Sequence, residues 1–252
     1  MTRGAVLRQQ TFDVVVLLVV LIAGWQAINE LAGDIVITSP LKTVTNTARM
    51  LADPTFWPHL EETGLAVLQG LIIAVVVGLA MGLSIGVNRL AGEVAEPIFV
   101  ALYSIPKITL YPIILLFFGT GMPAKVAFGA IHGVIPIIIF SMNAVRNINP
   151  VYLRTARVLR LGPWDLARTI LLPAALPEIF TGLRIGFSLT LVGTLMGEMF
   201  GSQRGLGYLL MIGMGQYNML SIMSVTLLLV VFATVVSVTL LMIDNHLRRR
   251  LQ

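Results

Sequence analysis

The chain has 252 residues, of which 57% are hydrophobic and only 12% are charged, and its mean hydropathy is +0.91. A soluble domain carries roughly twice that share of charge, so the composition excludes a surface covered by polar groups in water and makes lipid the natural solvent. The net charge of +5 does not mark a nucleic-acid binder, because the basic residues cluster at the ends of apolar runs, and the lack of cysteine excludes disulfides and thiolate metal sites.

Length and hydropathy together fit an all-α membrane protein with about six spanning helices of about 20 residues, forming one transmembrane domain over residues 1–252. In chain order, apolar runs of spanning length fall at about 12–32, 64–88, 94–118, 124–145, 179–200 and 219–243. The first follows Arg3 and Arg8 as a cleavable leader would. It continues through "GWQAINELAG" without a small-x-small cleavage site, so a retained span is expected. A polar connection, "SPLKTVTNTARMLADPTFWPHLEET", comes next; it has room for a short interfacial helix anchored by Trp57. The third run is interrupted by Pro97, Pro106 and Pro112 and carries Lys107. Prolines remove backbone donors, so this run should be kinked or split and packed inside the bundle.

With the N-terminus inside, the cytoplasmic side receives Arg3, Arg8, Arg89, Arg146, Arg154, Arg157, Arg160, Arg168, Arg184, Arg248, Arg249 and Arg250. The opposite side receives Lys42, Arg49, Lys125 and Arg204. This bias predicts that both termini are cytoplasmic. Gly78, Gly82 and Gly86, and again Gly193, Gly197, Gly201 and Gly205, recur at four-residue spacing. Such ladders stack small residues on one helix face and let another backbone approach. They predict a compact core and do not locate a subunit interface.

The stretch "RTARVLRLGPWDLARTILLP" breaks this apolar character with Arg154, Arg157, Arg160 and Arg168. Asn149 and Pro150 form a good helix start. Arg154, Arg157 and Arg160 then make one basic stripe, Gly162 can end the helix, and Pro163 can start the next. The second helix, "PWDLARTILL", is expected to be short and to stop at Pro173. This is an elbow with Trp164 and Asp165 exposed at its tip. It is open to two readings: a loop held at anionic headgroups, or a docking elbow for a soluble partner.

The order of these features resembles the transmembrane permease subunit of a type I bacterial ABC importer, closest to the sulfonate, taurine and nitrate permeases. That family carries Glu-Ala-Ala, three residues, Gly, nine residues, then Ile-x-Leu-Pro. Setting Ile170, Leu172 and Pro173 on its end places Arg154, Thr155 and Ala156 at Glu-Ala-Ala and Arg160 at the glycine. The spacing fits, whereas Glu, the first Ala and Gly are replaced; Gly162 is expected to supply the bend. "PAALPEIFTGLRIG", "SIPKITLYPIILLFFGTG", "GEMFGSQRGLGYLL", "TSP" at 38–40 and "PHLEETGLAVLQG" resemble further family segments, with Ala66 where an arginine is usual. The similarity covers roughly residues 35–245.

The resemblance implies a coupling helix at 150–173, with Arg154, Ala156, Arg157, Arg160, Gly162, Pro163, Trp164, Asp165 and Pro173 as the coupling set. It also implies a cytoplasmic ABC ATPase dimer that uses ATP-Mg, a second permease chain taken as an identical copy, and an extracytoplasmic solute-binding protein. No cofactor, metal ligand or catalytic residue is assigned to this chain. None of Lys42, Lys107 and Lys125 follows a glycine, as a phosphate-binding loop requires. Ionisable groups within spans mark Lys107, His132 and Glu198 as pathway candidates, with Tyr111 beside Lys107. Lys107 would attract an anionic solute, or pair with Glu198, or snorkel. His132 fits a structural hydrogen bond as well as the pathway, and Glu198 fits a role in ordering the 201–210 loop. A secondary transporter using Lys107, His132 and Glu198 as an ion relay is the competing reading.

Overall fold

The computed structural model describes residues 3–251, with the side chains of 3–8, 10, 11, 153, 157, 163, 167 and 246–251 outside the described set. The described residues are helical and include no strand. Eleven α-helices follow in order: α1 (Arg3–Ala32), α2 (Pro40–Ala52), α3 (Trp57–Gly86), α4 (Arg89–Ser104), α5 (Tyr111–Phe118), α6 (Met122–Arg146), α7 (Pro150–Val158), α8 (Pro163–Leu166), α9 (Leu172–Gly201), α10 (Leu206–Gly215) and α11 (Met219–Leu251). A 3₁₀ turn, Lys107–Leu110, joins α4 to α5, and a π-turn, Ala167–Leu171, joins α8 to α9. Five helical stretches are long and apolar enough to cross a membrane, and α4 with α5 makes a sixth, broken span. The apolar helix α10 between the last two spans was not foreseen from the sequence.

The third span is split, as the prolines predict, with an 81° bend. Ile105 is extended at φ −65° and ψ 131°, the conformation that a following proline imposes. Pro112 then sits in the first turn of α5, where its missing N–H leaves no bond unmade. The expectation that this span packs inside the bundle does not hold for α4. Within it Gly92 alone is buried, and Val94, Ile98, Val100 and Leu102 are exposed. Its prolines break the backbone without turning its apolar face onto a neighbour of the same chain.

The chain forms two compact units, one made of residues up to Trp57 with Leu209–Val231, the other of Pro58–Tyr208 with the chain from Phe232 onward. In the first, the predicted short helix is α2. Ser39 caps it by accepting from Lys42 N at 3.4 Å, and Asn46 donates to Ser224 Oγ at 2.9 Å. Lys42 pairs with Asp34, which holds that exposed carboxyl below its ordinary range. Trp57 is half-exposed at the start of α3 and donates to Leu51 O at 3.2 Å.

The second unit is built around α6, which is buried along most of its length. Glycines of α3 and α9 let both helices close on it. A Cβ at Gly78 would lie 2.6 Å from Ile137 Cγ2, and one at Gly186 would lie 2.6 Å from Ile137 Cγ1, so Ile137 fills space vacated by two flanking helices. A Cβ at Gly82 would meet Ile138 O at 2.7 Å, and one at Gly197 would meet Lys125 Cα at 2.9 Å. Lipid offers no hydrophobic drive for helix association, so close van der Waals contact of this kind, together with interhelical polar bonds, holds the helices together. The first ladder and Gly193, Gly197 and Gly201 of the second therefore serve packing within the chain, whereas Gly205 lies beyond the end of α9 in a left-handed bend and is not on that helix face. Phe187 and Leu191 of α9 close the core against Val67 of α3, with Ala233 and Val236 of α11 packed around them.

Candidate functional site

The basic elbow begins as its sequence suggests. Asn149 Oδ1 accepts from Val151 N at 2.9 Å, capping α7, and Pro150 is the first helical residue. The helix ends differently from the expectation at Gly162. Arg160 takes the left-handed conformation, with φ 51°, and Leu161 N donates to Ala156 O at 3.1 Å. These are the marks of a Schellman ending with its left-handed residue at Arg160. Gly162 is not left-handed; its carbonyl instead accepts from Leu166 N at 2.9 Å and opens α8. The position where the resembled family has glycine is thus the one where the backbone asks for it, because a Cβ there crowds the following carbonyl.

The second half of the elbow does not stop at Pro173. Helical structure runs unbroken from Trp164 to Gly201, passing through the π-turn and taking Pro173 into the first turn of α9. Pro173 cannot donate and its ring crowds the carbonyl four residues back. The wider π-turn just before it gives that carbonyl room. Arg154, Arg160, Asp165 and Arg168 are exposed, and Ala156 is buried. The side chains of Arg157 and Pro163 lie outside the described residues. Val158, Leu159 and Trp164 are exposed too, Trp164 at 75%, so the elbow displays apolar surface among its arginines.

At the far end of α9 lies a buried polar cluster. Glu198 and Lys125 are both fully buried, 3.6 Å apart. The Lys125 ammonium also donates to Glu62 at 3.0 Å and to Arg204 O at 3.2 Å, so two of its protons are hydrogen-bonded while Glu198 balances its charge. Thr63 Oγ1 shares its proton between both Glu198 oxygens at 2.9 Å and accepts from Leu206 N at 2.8 Å. Gly207 N donates to Glu198 at 2.9 Å. Gly205 has φ +118°, and a Cβ there would overlap the Glu198 carboxylate. The cluster ties the starts of α3 and α6 to the end of α9 and to the loop that opens α10.

This arrangement corrects the pairing of Glu198 with Lys107. Lys107 donates to Tyr103 O at 3.0 Å and stands 4.9 Å from the Tyr103 ring centre. Lys125, assigned to a loop from the sequence, is the partner. Its signal was available, since it lies within the apolar run 124–145, where an ionisable group needs a reason. Tyr111 is buried against Phe128 and donates to Gly197 O at 2.8 Å. His132 is buried, with Nδ1 2.8 Å from Phe128 O. Among the described residues no hydrogen bond or ion pair joins Lys107, His132 and Glu198 into a relay, and no cluster of side chains suits a metal ion.

Five spans, a broken sixth and an elbow leading into a long helix define a permease of the type I importer fold. A chain of the MetNI methionine ABC transporter in an inward-facing conformation matches it with TM-score 0.60 at 23% identity, over 76% of this chain and 93% of that one. Residues 70–252 match the family described as binding-protein-dependent transport system inner membrane component, and the chain belongs to that family. A probable ABC transporter permease protein of Haemophilus influenzae is 33% identical over 61% of this chain, which spans 63% of that protein. The nitrate import permease NrtB of Leptolyngbya laminosa is 33% identical over 75% of this chain and 70% of its own length. The riboflavin transport permease RibX of Chloroflexus aurantiacus is 30% identical over 89% and 82%.

Proposed function

We propose that this chain is the pathway-forming subunit of an ATP-driven importer and that residues 150–173 couple it to a separate cytoplasmic ATPase dimer. The observation that carries this reading is the elbow itself. Trp164, Val158 and Leu159 stand exposed among arginines, and from Trp164 onward the elbow runs without interruption into a membrane-spanning helix. A lipid-held loop needs charge alone, whereas a socket joint needs fixed shape, an apolar contact and a stiff lever. Aromatic and arginine side chains are the pairing that dominates buried protein contacts.

On this reading ATP-Mg is bound and hydrolysed by the partner. Closure of the ATPases moves the elbow, and α9 carries that motion past α6 into the bundle. A second copy of the chain completes the pathway, an extracytoplasmic binding protein delivers the solute, and both termini face the cytoplasm. The named relatives transport solutes as different as nitrate and riboflavin, so kinship does not select the cargo. We take the cargo to be a small polar or anionic organic solute.

The test is copurification from mild detergent, comparing wild type with Trp164→Ala plus Arg154→Glu. Wild type should bring down a nucleotide-hydrolysing subunit and the variant should lose it. Wild type isolated alone, and moving solute in liposomes on an ion gradient, would make the chain a secondary transporter.

A further inference from the structure

The segment between α9 and α10 is tied down by side chains of α3, α6 and α9. Lys125 donates to Arg204 O at 3.2 Å. The next three amides then donate in turn: Gly205 N to His59 Nδ1 at 3.2 Å, Leu206 N to Thr63 Oγ1 at 2.8 Å and Gly207 N to Glu198 at 2.9 Å. His59 and Thr63 stand one turn apart on α3, so the segment lies along one face of that helix. The left-handed bend at Gly205 brings its backbone onto the Glu198 carboxylate. The loop thus covers the buried Lys125–Glu198 pair at the end of α9 remote from the elbow.

His59 differs from the other two acceptors. Thr63 and Glu198 are buried, whereas His59 is half-buried. A ring nitrogen that receives an N–H must offer a lone pair, so the bond from Gly205 exists only while the imidazole is neutral, with its proton on Nε2. Tyr208 of α10 stacks on the ring, the centres 6.0 Å apart and the planes 9° apart. The charged groups around the ring are Glu62 on its own helix, Lys125 of α6 and Arg204 of the loop, with Glu198 of α9 beyond Thr63. Lys125 already engages both carboxylates, and with Arg204 it opposes a third cation.

We propose that His59 is an acid-sensitive latch on the 204–207 loop. With the ring neutral, the loop stays bonded over the Lys125–Glu198 pair. Protonation puts a second N–H where the acceptor was, so the Gly205 amide loses its partner and the loop opens from that end. The closed loop requires the neutral ring, so it is held above the pH at which the imidazole protonates and released as pH falls through it. Thr63 does not titrate and Glu198 is tied to Lys125, which leaves the histidine as the member that responds near neutrality. Every member belongs to this chain, and the latch does not depend on the importer reading.

The test is hydrogen exchange on the full chain in phosphatidylcholine nanodiscs at about pH 8 and about pH 5, which bracket an imidazole. Each rate is referred to that of an unstructured peptide at the same pH. In the wild type, protection of the 205–207 amides should fall at least about tenfold at the acid end, while amides of α6 keep theirs. His59→Asn offers an acceptor that does not titrate, and His59→Phe keeps a stacking ring without an acceptor. Protection in neither variant should change with pH, and it should be low throughout in His59→Phe. Equal wild-type protection at the two pH values, or the same fall in either variant, would overturn the proposal. So would a loss spread over α6, which would mark general acid unfolding.

Discussion

Lys125 and Glu198 face each other fully buried at 3.6 Å, from the first turn of α6 and the last turn of α9. Their remaining valences are taken by Glu62, Thr63 and the 204–207 backbone, so the pair is satisfied on every side. Removing one partner of such a pair leaves an uncompensated charge. Lys125→Met should destabilise the chain by about 3–5 kcal/mol. Lys125→Met with Glu198→Gln should recover at least half of that loss. Denaturant unfolding in detergent measures both, and equal losses in single and double variants would show that the charge pair is not what matters.

Ile137 and Gly186 make the second case. Gly186→Ala drives a methyl into Ile137 Cγ1 and Cδ1, both within 2.7 Å of the new atom, and should cost about 1–3 kcal/mol by overpacking. Ile137→Ala removes both contacted atoms and alone should cost about 2–5 kcal/mol by leaving a cavity. The double variant should be less destabilised than the sum by about 1 kcal/mol or more. Strict additivity in a double-mutant cycle would deny that Ile137 occupies the room Gly186 leaves.

Arg160 holds a conformation that an L side chain adopts at a cost of about 1–2 kcal/mol. Arg160→Gly should therefore stabilise the elbow, and Arg160→Val should weaken it. The amide of Leu161, bonded to Ala156 O, reports this through hydrogen exchange. Protection should rise about fivefold or more in the glycine variant. A fall would mean that the arginine side chain holds the turn by contacts that outweigh the strain.

Pro173 fixes the rotational setting of the elbow against α9. Replacing it with alanine restores a donor and lets the π-turn relax to α-helix. The residue absorbed by the bulge is then released, turning Trp164 by about 100° about the helix axis. Spin labels at 164 and 188 should change their separation in Pro173→Ala, and, on the coupling proposed above, ATP hydrolysis by a copurified ATPase should fall. An unaltered label distance would show that the π-turn has another cause.

Much of this was legible along the chain because it is local or compositional. Hydropathy dictates lipid as solvent and the number of spans, since only segments of spanning length satisfy their own backbone there. The Asn149–Pro150 start, the break at Pro106 and the glycine ladders each follow from the chemistry of a few neighbouring residues. Tertiary structure decided what depends on distant partners. Glu198 meets Lys125 and not Lys107 because α6 packs along α9, while Lys107 is carried off on the 3₁₀ turn beyond the bend. Arg160 is the left-handed residue because the helix end is set by which carbonyl Leu161 reaches. His59 meets Gly205 only because α3 is brought beside the end of α9. A buried charge announces that it needs a partner, but the chain's folded path chooses which one, because that choice rests on packing between segments far apart in sequence.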